Sequence, residues 1–160
     1  MIPNGMRMRT NDRYIFENII LKNIYLNKFI QDILFVGIHP YSAWYNLLIL
    51  GKKFQTVDPN RQSYAKNHIT GKIQGLEGES LYDCIILNGV FGYGTDTPSD
   101  KLEVIETSHK LLRKNGVLLL SYNDSVDLDM FNKFEQINIP GHDIKMVKST
   151  NGPIYIAFKK

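Results

Sequence analysis

Apolar positions along the chain fall into two rhythms. Over residues 12–31, Tyr14, Ile15, Ile19, Leu21, Ile24, Tyr25, Leu26, Phe29 and Ile30 recur mostly three or four apart, as a helix packed on a sheet requires. Asn11 or Asp12 is placed to cap it. The run Asp32-Ile33-Leu34-Phe35-Val36-Gly37 is short, apolar and closed by glycine, which predicts a strand buried on both faces. Pro40 then suits the first turn of a helix through Trp44, Tyr45, Leu47 and Leu48 to a stop at Gly51. Three further strands are expected at 53–58, 68–73 and 82–88, with a short helical stretch after Pro59. A helix over 99–113, closed by Asn115-Gly116, leads into a fifth strand at 117–122. After a helix expected over 127–136, residues 142–149 and 153–158 read as an antiparallel hairpin turning at Thr150-Asn151-Gly152. Strands alternating with helices and ending in a hairpin predict an α/β fold: an open, doubly wound, mostly parallel sheet with an antiparallel C-terminal edge.

Composition narrows the picture. A chain of 160 residues, 43% hydrophobic and 22% charged, with no repeat and no long Pro/Gly/Ser linker, is expected to form one domain. The single Cys84 leaves no internal disulfide and no Cys-x-x-Cys pair, which points to a reducing, cytoplasmic compartment. The N-terminus lacks the apolar centre of a signal peptide, and no run approaches the about 18 apolar residues of a membrane span. The net charge of +3 is spread along the chain, so nucleic acid is not implied.

In a doubly wound sheet, ligands bind at the carboxyl ends of the strands, where loop backbones and helix N-termini converge. That rule selects Gly37, Ile38, His39 and Tyr41 after the first strand, Asp58 and Pro59 after the second, Lys72 and Ile73 after the third, and Asn88 and Gly89 after the fourth. Asp58 lies 21 positions after Gly37, where an acid can accept hydrogen bonds from both hydroxyls of a ribose. Structural readings stand beside these. Gly37 relieves a tight turn, Asp58 caps a following helix, Asn88 satisfies strand-end backbone groups, and Tyr41 and Trp44 pack a helix. Cys84 reads as inert core. His68, His109 and His142 lack metal-ligand spacing. Gly89, Gly92 and Gly94 resemble a phosphate cradle, but no Gly-Lys-Ser/Thr follows, and no Gly-x-Ser-x-Gly nucleophile elbow is present.

Four pieces, in order, make residues 33–158 resemble the class I S-adenosylmethionine-dependent methyltransferases. They are Ile33-Leu34-Phe35-Val36-Gly37, the acid Asp58, the stretch from Tyr82 to Val90, and Leu111-Leu112-Arg113-Lys114-Asn115-Gly116-Val117-Leu118-Leu119-Leu120-Ser121. More narrowly, Phe35-Val36-Gly37, His68-Ile69-Thr70 and the loop from Asn88 to Gly94 look like a methyltransferase-like group associated with surface-glycan genes. The resemblance implies a Rossmann-like methyltransferase fold, S-adenosylmethionine as cofactor and a small-molecule or glycan acceptor. On that reading an oxygen or nitrogen nucleophile is held near residues 88–93, and His39, as base, and Asn88 are the candidate catalytic residues. The chain also departs from the family pattern. Phe35 replaces the acid before the first glycine, His39 and Tyr41 occupy positions of the next two glycines, and Lys72 stands where an acid commonly meets the adenine amino group. Two other readings therefore remain open: a binding or partner-activating module that keeps the fold without catalysis, and a nucleotide or nucleotide-sugar enzyme using Asp58 and the Gly89–Gly94 loop. A site completed by a second subunit is compatible with each.

Overall fold

The computed structural model of the protein describes residues 14–42, 45–60, 67–123, 126–148 and 152–160. The expected cap at Asn11 or Asp12, Trp44, residues 61–66 and the Thr150-Asn151 part of the hairpin turn lie outside them.

Five strands, β1 (Asp32–Val36), β2 (Lys53–Asp58), β3 (His68–Thr70), β4 (Tyr82–Asn88) and β5 (Leu112–Tyr122), pair in parallel in the order β3-β2-β1-β4-β5. Side chains alternate across a pleated strand, so each buried strand feeds two cores. Ile33 and Phe35 of β1 join Cys84 and Ile86 of β4 on one face, while Leu34 and Val36 join Ile85 and Leu87 on the other. The first face is covered by a π-helical segment (Phe16–Ile20) running into α1 (Leu21–Leu26), and by α2 (Tyr45–Leu48). The second is covered by α3 (Pro98–Leu111), whose Val104, Ile105 and Leu111 are buried. Thr97 caps α3 by accepting the Asp100 amide at 3.1 Å, with Pro98 opening the first turn.

Several boundaries differ from the sequence pattern. The N-terminal helix stops at Leu26, and Asn27 turns extended as its amide closes on Asn23 and Ile24. Of the helix expected from Pro40 to Gly51, the described residues form a 3-10 turn (Pro40–Ser42) and α2, which ends at Leu48. The helix expected over 99–113 ends at Leu111, so Asn115-Gly116 sits inside β5 and not at a helix terminus.

The largest difference is at 127–136, where a helix was the expectation. The chain there forms a 3-10 turn (Leu128–Phe131) and then β6 (Glu135–Ile137). Apolar spacing at Leu128, Phe131 and Phe134 fits helical and 3-10 backbones alike, and the neighbouring sheet decides. Phe131 stacks on Phe158 at 4.2 Å between centroids, and the unpaired edge of β8 (Ile154–Lys159) takes up residues 135–137. The expected hairpin is present as β7 (Met146–Lys148) antiparallel to β8, which also pairs antiparallel with β5. β6 and β7 lie end to end along the same edge of β8. Residues 138–145 make an excursion between them, in which Ile139 is buried and Gly141 presses on Asn23 and Ile19 of the N-terminal helix.

At the amino ends of the strands, Arg113 Nη1 donates to Asp32 Oδ2 at 2.7 Å and Asp83 Oδ1 at 2.9 Å. Burial penalises the Asp83 charge, but the amides of Asp32 and Gln31 and the Arg113 guanidinium outweigh it and hold its carboxyl below the ordinary value. A depressed folded-state value means the stabilisation is present above the unfolded value, near pH 4, and lost as pH falls through the folded one. Asp83→Asn is therefore expected to lower stability at pH 7 by about 1–3 kcal/mol, and by less at pH 2, since the stabilisation is lost as pH falls through the depressed folded-state value. Urea unfolding at the two pH values checks this, and an equal gap at both would exclude the ionised carboxylate as the cause.

Candidate functional site

The strand order reverses between β1 and β4, since β1 is followed by β2 on one side and β4 lies on the other. Loops leaving two such strands diverge and open a crevice. Here the crevice is a cavity of about 460 Å³, within the range of small-molecule sites.

Gly37, Ile38 and His39 border it from the β1 loop. Gly37 has φ +85°, and a Cβ there would overlap the carbonyl oxygen of Asn88. The Asn88 amide returns the contact, Nδ2 donating to the Gly37 carbonyl at 3.1 Å. Asn88 and Gly89 thus border the cavity from β4 while the Asn88 side chain, 1% exposed, fastens the two strand ends together. His39 is anchored through its backbone: its amide donates to Ser42 Oγ at 2.9 Å, and Ser42 donates back to the His39 carbonyl through both its amide and its hydroxyl. Tyr41 belongs to the Pro40–Ser42 turn, and its side chain lies outside the described part of the structure.

Asp58 and Pro59 form the wall beyond β2. Asp58 Oδ1 accepts the Asn60 amide at 2.7 Å and Oδ2 accepts the Ile38 amide at 3.1 Å. The carboxylate thereby holds its own turn and the β1 loop together. A carboxylate offers about four acceptor sites, so each oxygen keeps capacity for a hydroxyl donor. Lys72, exposed, and Ile73, buried, border the cavity beyond β3, where the Gly71 amide donates to the Asp58 carbonyl at 2.9 Å.

Phe35 does not enter this space. Its ring is 1% exposed and lies 5.7 Å from Tyr45, 5.6 Å from Phe54 and 6.3 Å from Phe16 between centroids. Tyr45 in turn donates to Glu17 Oε1 at 2.9 Å, which joins α2 to the N-terminal helix. An aromatic residue at position 35 therefore serves the core that this helix covers.

In the Gly89–Gly94 loop, the Gly89 amide donates to the Ser121 carbonyl and the Tyr93 amide to the Val90 carbonyl. Two of the loop's amides are thereby engaged inside the protein, and α3 begins only at Pro98 with Thr97 as its cap. Among the described residues no group of three His, Cys, Asp or Glu side chains is placed to hold a metal, and no helix is long and apolar enough to cross a membrane. Cys84 is fully buried, with its thiol pushed up to about 12 by desolvation, in keeping with inert core.

Asn60, which the strand-end rule groups with Asp58 and Pro59, borders the cavity, and so do Tyr93 and Thr95, which that rule did not select. Tyr93 carries a sequence signal in its place between Gly92 and Gly94. Thr95 carries none, because its burial comes from a bridge to Phe91.

The sheet order, the antiparallel last strands and the crevice at the β1/β4 reversal define the Rossmann-like fold of the class I S-adenosylmethionine-dependent methyltransferases. Similar solved structures carry that architecture along nearly the whole chain. The N-methyltransferase NodS from Bradyrhizobium japonicum WM9 superposes with a TM-score of 0.71 at 11% identity, covering 100% of this chain and 99% of that one. NodS in complex with S-adenosyl-L-homocysteine gives 0.72 at 12% identity, over 99% and 91% of the two chains. The 1,6-didemethyltoxoflavin-N1-methyltransferase of Burkholderia thailandensis, with 1,6-didemethyltoxoflavin and S-adenosylhomocysteine bound, gives 0.60 at 12% identity over 94% and 82%. No family model matches the sequence, and no curated protein matches it.

Proposed function

We propose that the protein is an S-adenosylmethionine-dependent methyltransferase acting on a small-molecule or glycan acceptor. The observation that carries this reading is Asp58, buried at the end of β2 with both oxygens oriented by backbone amides and acceptor capacity left toward the cavity. Such a carboxylate suits the two hydroxyls of a ribose. The cavity fits the remainder of the cofactor: Ile73, Val36 and Val57 give an apolar wall, and Gly71 and Gly94 leave space where any Cβ would meet nothing within 4 Å.

When bound, the cofactor supplies an electrophilic methyl group on a sulfonium. The protein's part is to hold an acceptor in line with that methyl, and positioning alone supplies much of the rate. Pro59, Lys72 and Ile73 form the side that takes the base, with Lys72 replacing a carboxylate by a cation at the rim. Gly37, Ile38, Asn88 and Gly89 surround the amino-acid end, where no acid enters from β1, so backbone groups of the two fastened loops take the place of that carboxylate. His39, on the acceptor side, is the candidate to take up a proton from an oxygen or nitrogen nucleophile, with Asn88 as its polar neighbour.

Isothermal titration with S-adenosylhomocysteine tests the reading. Saturable binding with one site per chain is the expected result. A folded sample that binds neither S-adenosylmethionine nor S-adenosylhomocysteine at millimolar concentration would leave the protein a fold without the chemistry.

A further inference from the structure

Tyr93 is 64% exposed, yet it borders the cavity and its ring faces that of His39 edge-on, with centroids 6.5 Å apart and planes at 80°. Its setting fixes where that ring stands. Phe91 is fully buried and Thr95 nearly so, and the two are joined by a backbone bridge. Between those anchors Gly92 and Gly94 adopt φ of +88° and +89°, which carries Tyr93 out on a three-residue arch over the cavity mouth. Lys101 of α3 sits 5.9 Å from the Phe91 ring centroid, under the base of the arch. His39 on the opposite side is held by its three backbone bonds to Ser42. A firmly based aromatic thus meets an aromatic on a pivoted arch.

The separation of the two rings suggests what belongs between them. A planar ring sandwiched by two others needs about 7 Å between the outer planes, twice the contact distance of roughly 3.5 Å. The rings stand at 6.5 Å between centroids, so turning one from perpendicular to parallel sets their planes at most 6.5 Å apart, and a small outward shift of the Tyr93 arch completes the slot. A bulky saturated ring would need the arch lifted off its anchors.

Resting on the methyltransferase reading above, we propose that His39 and Tyr93 form a slot for the acceptor and that the acceptor is a planar aromatic or heteroaromatic ring bearing its nucleophilic oxygen or nitrogen at the edge. The stacked faces fix the ring plane, and the edge atom is directed past Gly89 and Asn88 toward the floor of the cavity. With its face given to the acceptor, His39 positions the ring in this slot, and the proton of the edge atom leaves to water instead of to the in-plane His39 nitrogens. Specificity for planarity lies in Tyr93, which contributes a face and not a hydrogen bond.

The test uses the full chain saturated with S-adenosylhomocysteine and two pairs of probes, naphthol with decahydronaphthol and catechol with cyclohexanediol. Each planar probe is expected to bind about tenfold more tightly than its saturated counterpart. Tyr93→Phe should keep that preference and Tyr93→Leu should remove it, each variant being measured at its own saturating S-adenosylhomocysteine concentration. Because Tyr93 is exposed, neither change threatens the fold. S-adenosylhomocysteine binding is read first in every sample. Its absence in the parent protein rejects the methyltransferase reading and the slot with it. Normal S-adenosylhomocysteine binding with no planar preference in either pair, or with a preference that survives Tyr93→Leu, rejects the slot alone.

Discussion

Gly37→Ala is expected to lower the melting temperature by about 6–12 °C and to abolish measurable S-adenosylhomocysteine binding. Two independent costs combine. With φ at +85°, the backbone stands in the left-handed region where a side chain is strained, and the new methyl would overlap the Asn88 carbonyl oxygen. Neither atom can move easily, because Gly37 and Asn88 end adjacent paired strands, and the Gly37 amide donates to the Val57 carbonyl at 3.1 Å. A total of about 3 kcal/mol follows from strain plus displaced backbone. The displacement would fall on the two loops that border the cavity from β1 and β4, so binding should suffer along with stability. Thermal unfolding and titration on the same preparation check both, and a melting temperature within a degree of the parent would show that the β1/β4 junction is looser than its geometry states.

Asp58→Ala is expected to weaken S-adenosylhomocysteine binding by roughly 10- to 150-fold and also to destabilise the protein by about 2–3 kcal/mol. From the sequence, helix cap and ribose contact look like alternatives. The structure adds a brace to both, since one carboxylate oxygen holds the Asn60 amide and the other the Ile38 amide 20 residues away. Removing the carboxylate leaves both donors without this acceptor and releases the β1 loop from β2. Asp58→Asn separates the two roles, because its single carbonyl oxygen can satisfy one amide while the other faces an amide donor. It should recover part of the stability and less of the binding. If Asp58→Ala loses stability but binds with parent affinity, Asp58 is a structural brace only, and the ribose contact lies elsewhere.

Much of the fold is legible in the chain because buried parallel strands are short apolar runs bounded by glycine or an acid. The runs at 53–58 and 82–88 have in the structure the same limits that the pattern gives them. The mostly parallel sheet and the place of the crevice at its carboxyl ends follow from the alternation of strands and helices. So Gly37, Asp58 and Asn88 could be placed at one end of the sheet before any coordinates.

What the sequence could not decide were contacts between residues far apart in the chain. Residues 127–136 carry a spacing that suits a helix, but the open edge of β8 binds 135–137 as a strand, and no local signal reports an unpaired edge. Phe35 marks a missing acid in the sequence, whereas only packing shows its ring turned away from the cavity against Phe16, Tyr45 and Phe54. Tyr93 is one tyrosine among nine until the Phe91–Thr95 bridge lifts it over the cavity opposite His39. Periodicity and end signals are local, so the sequence by itself determined the five parallel strands and their succession along the chain. Which side chains face one another across the crevice depends on strand register and loop anchoring, which exist only once the sheet has formed.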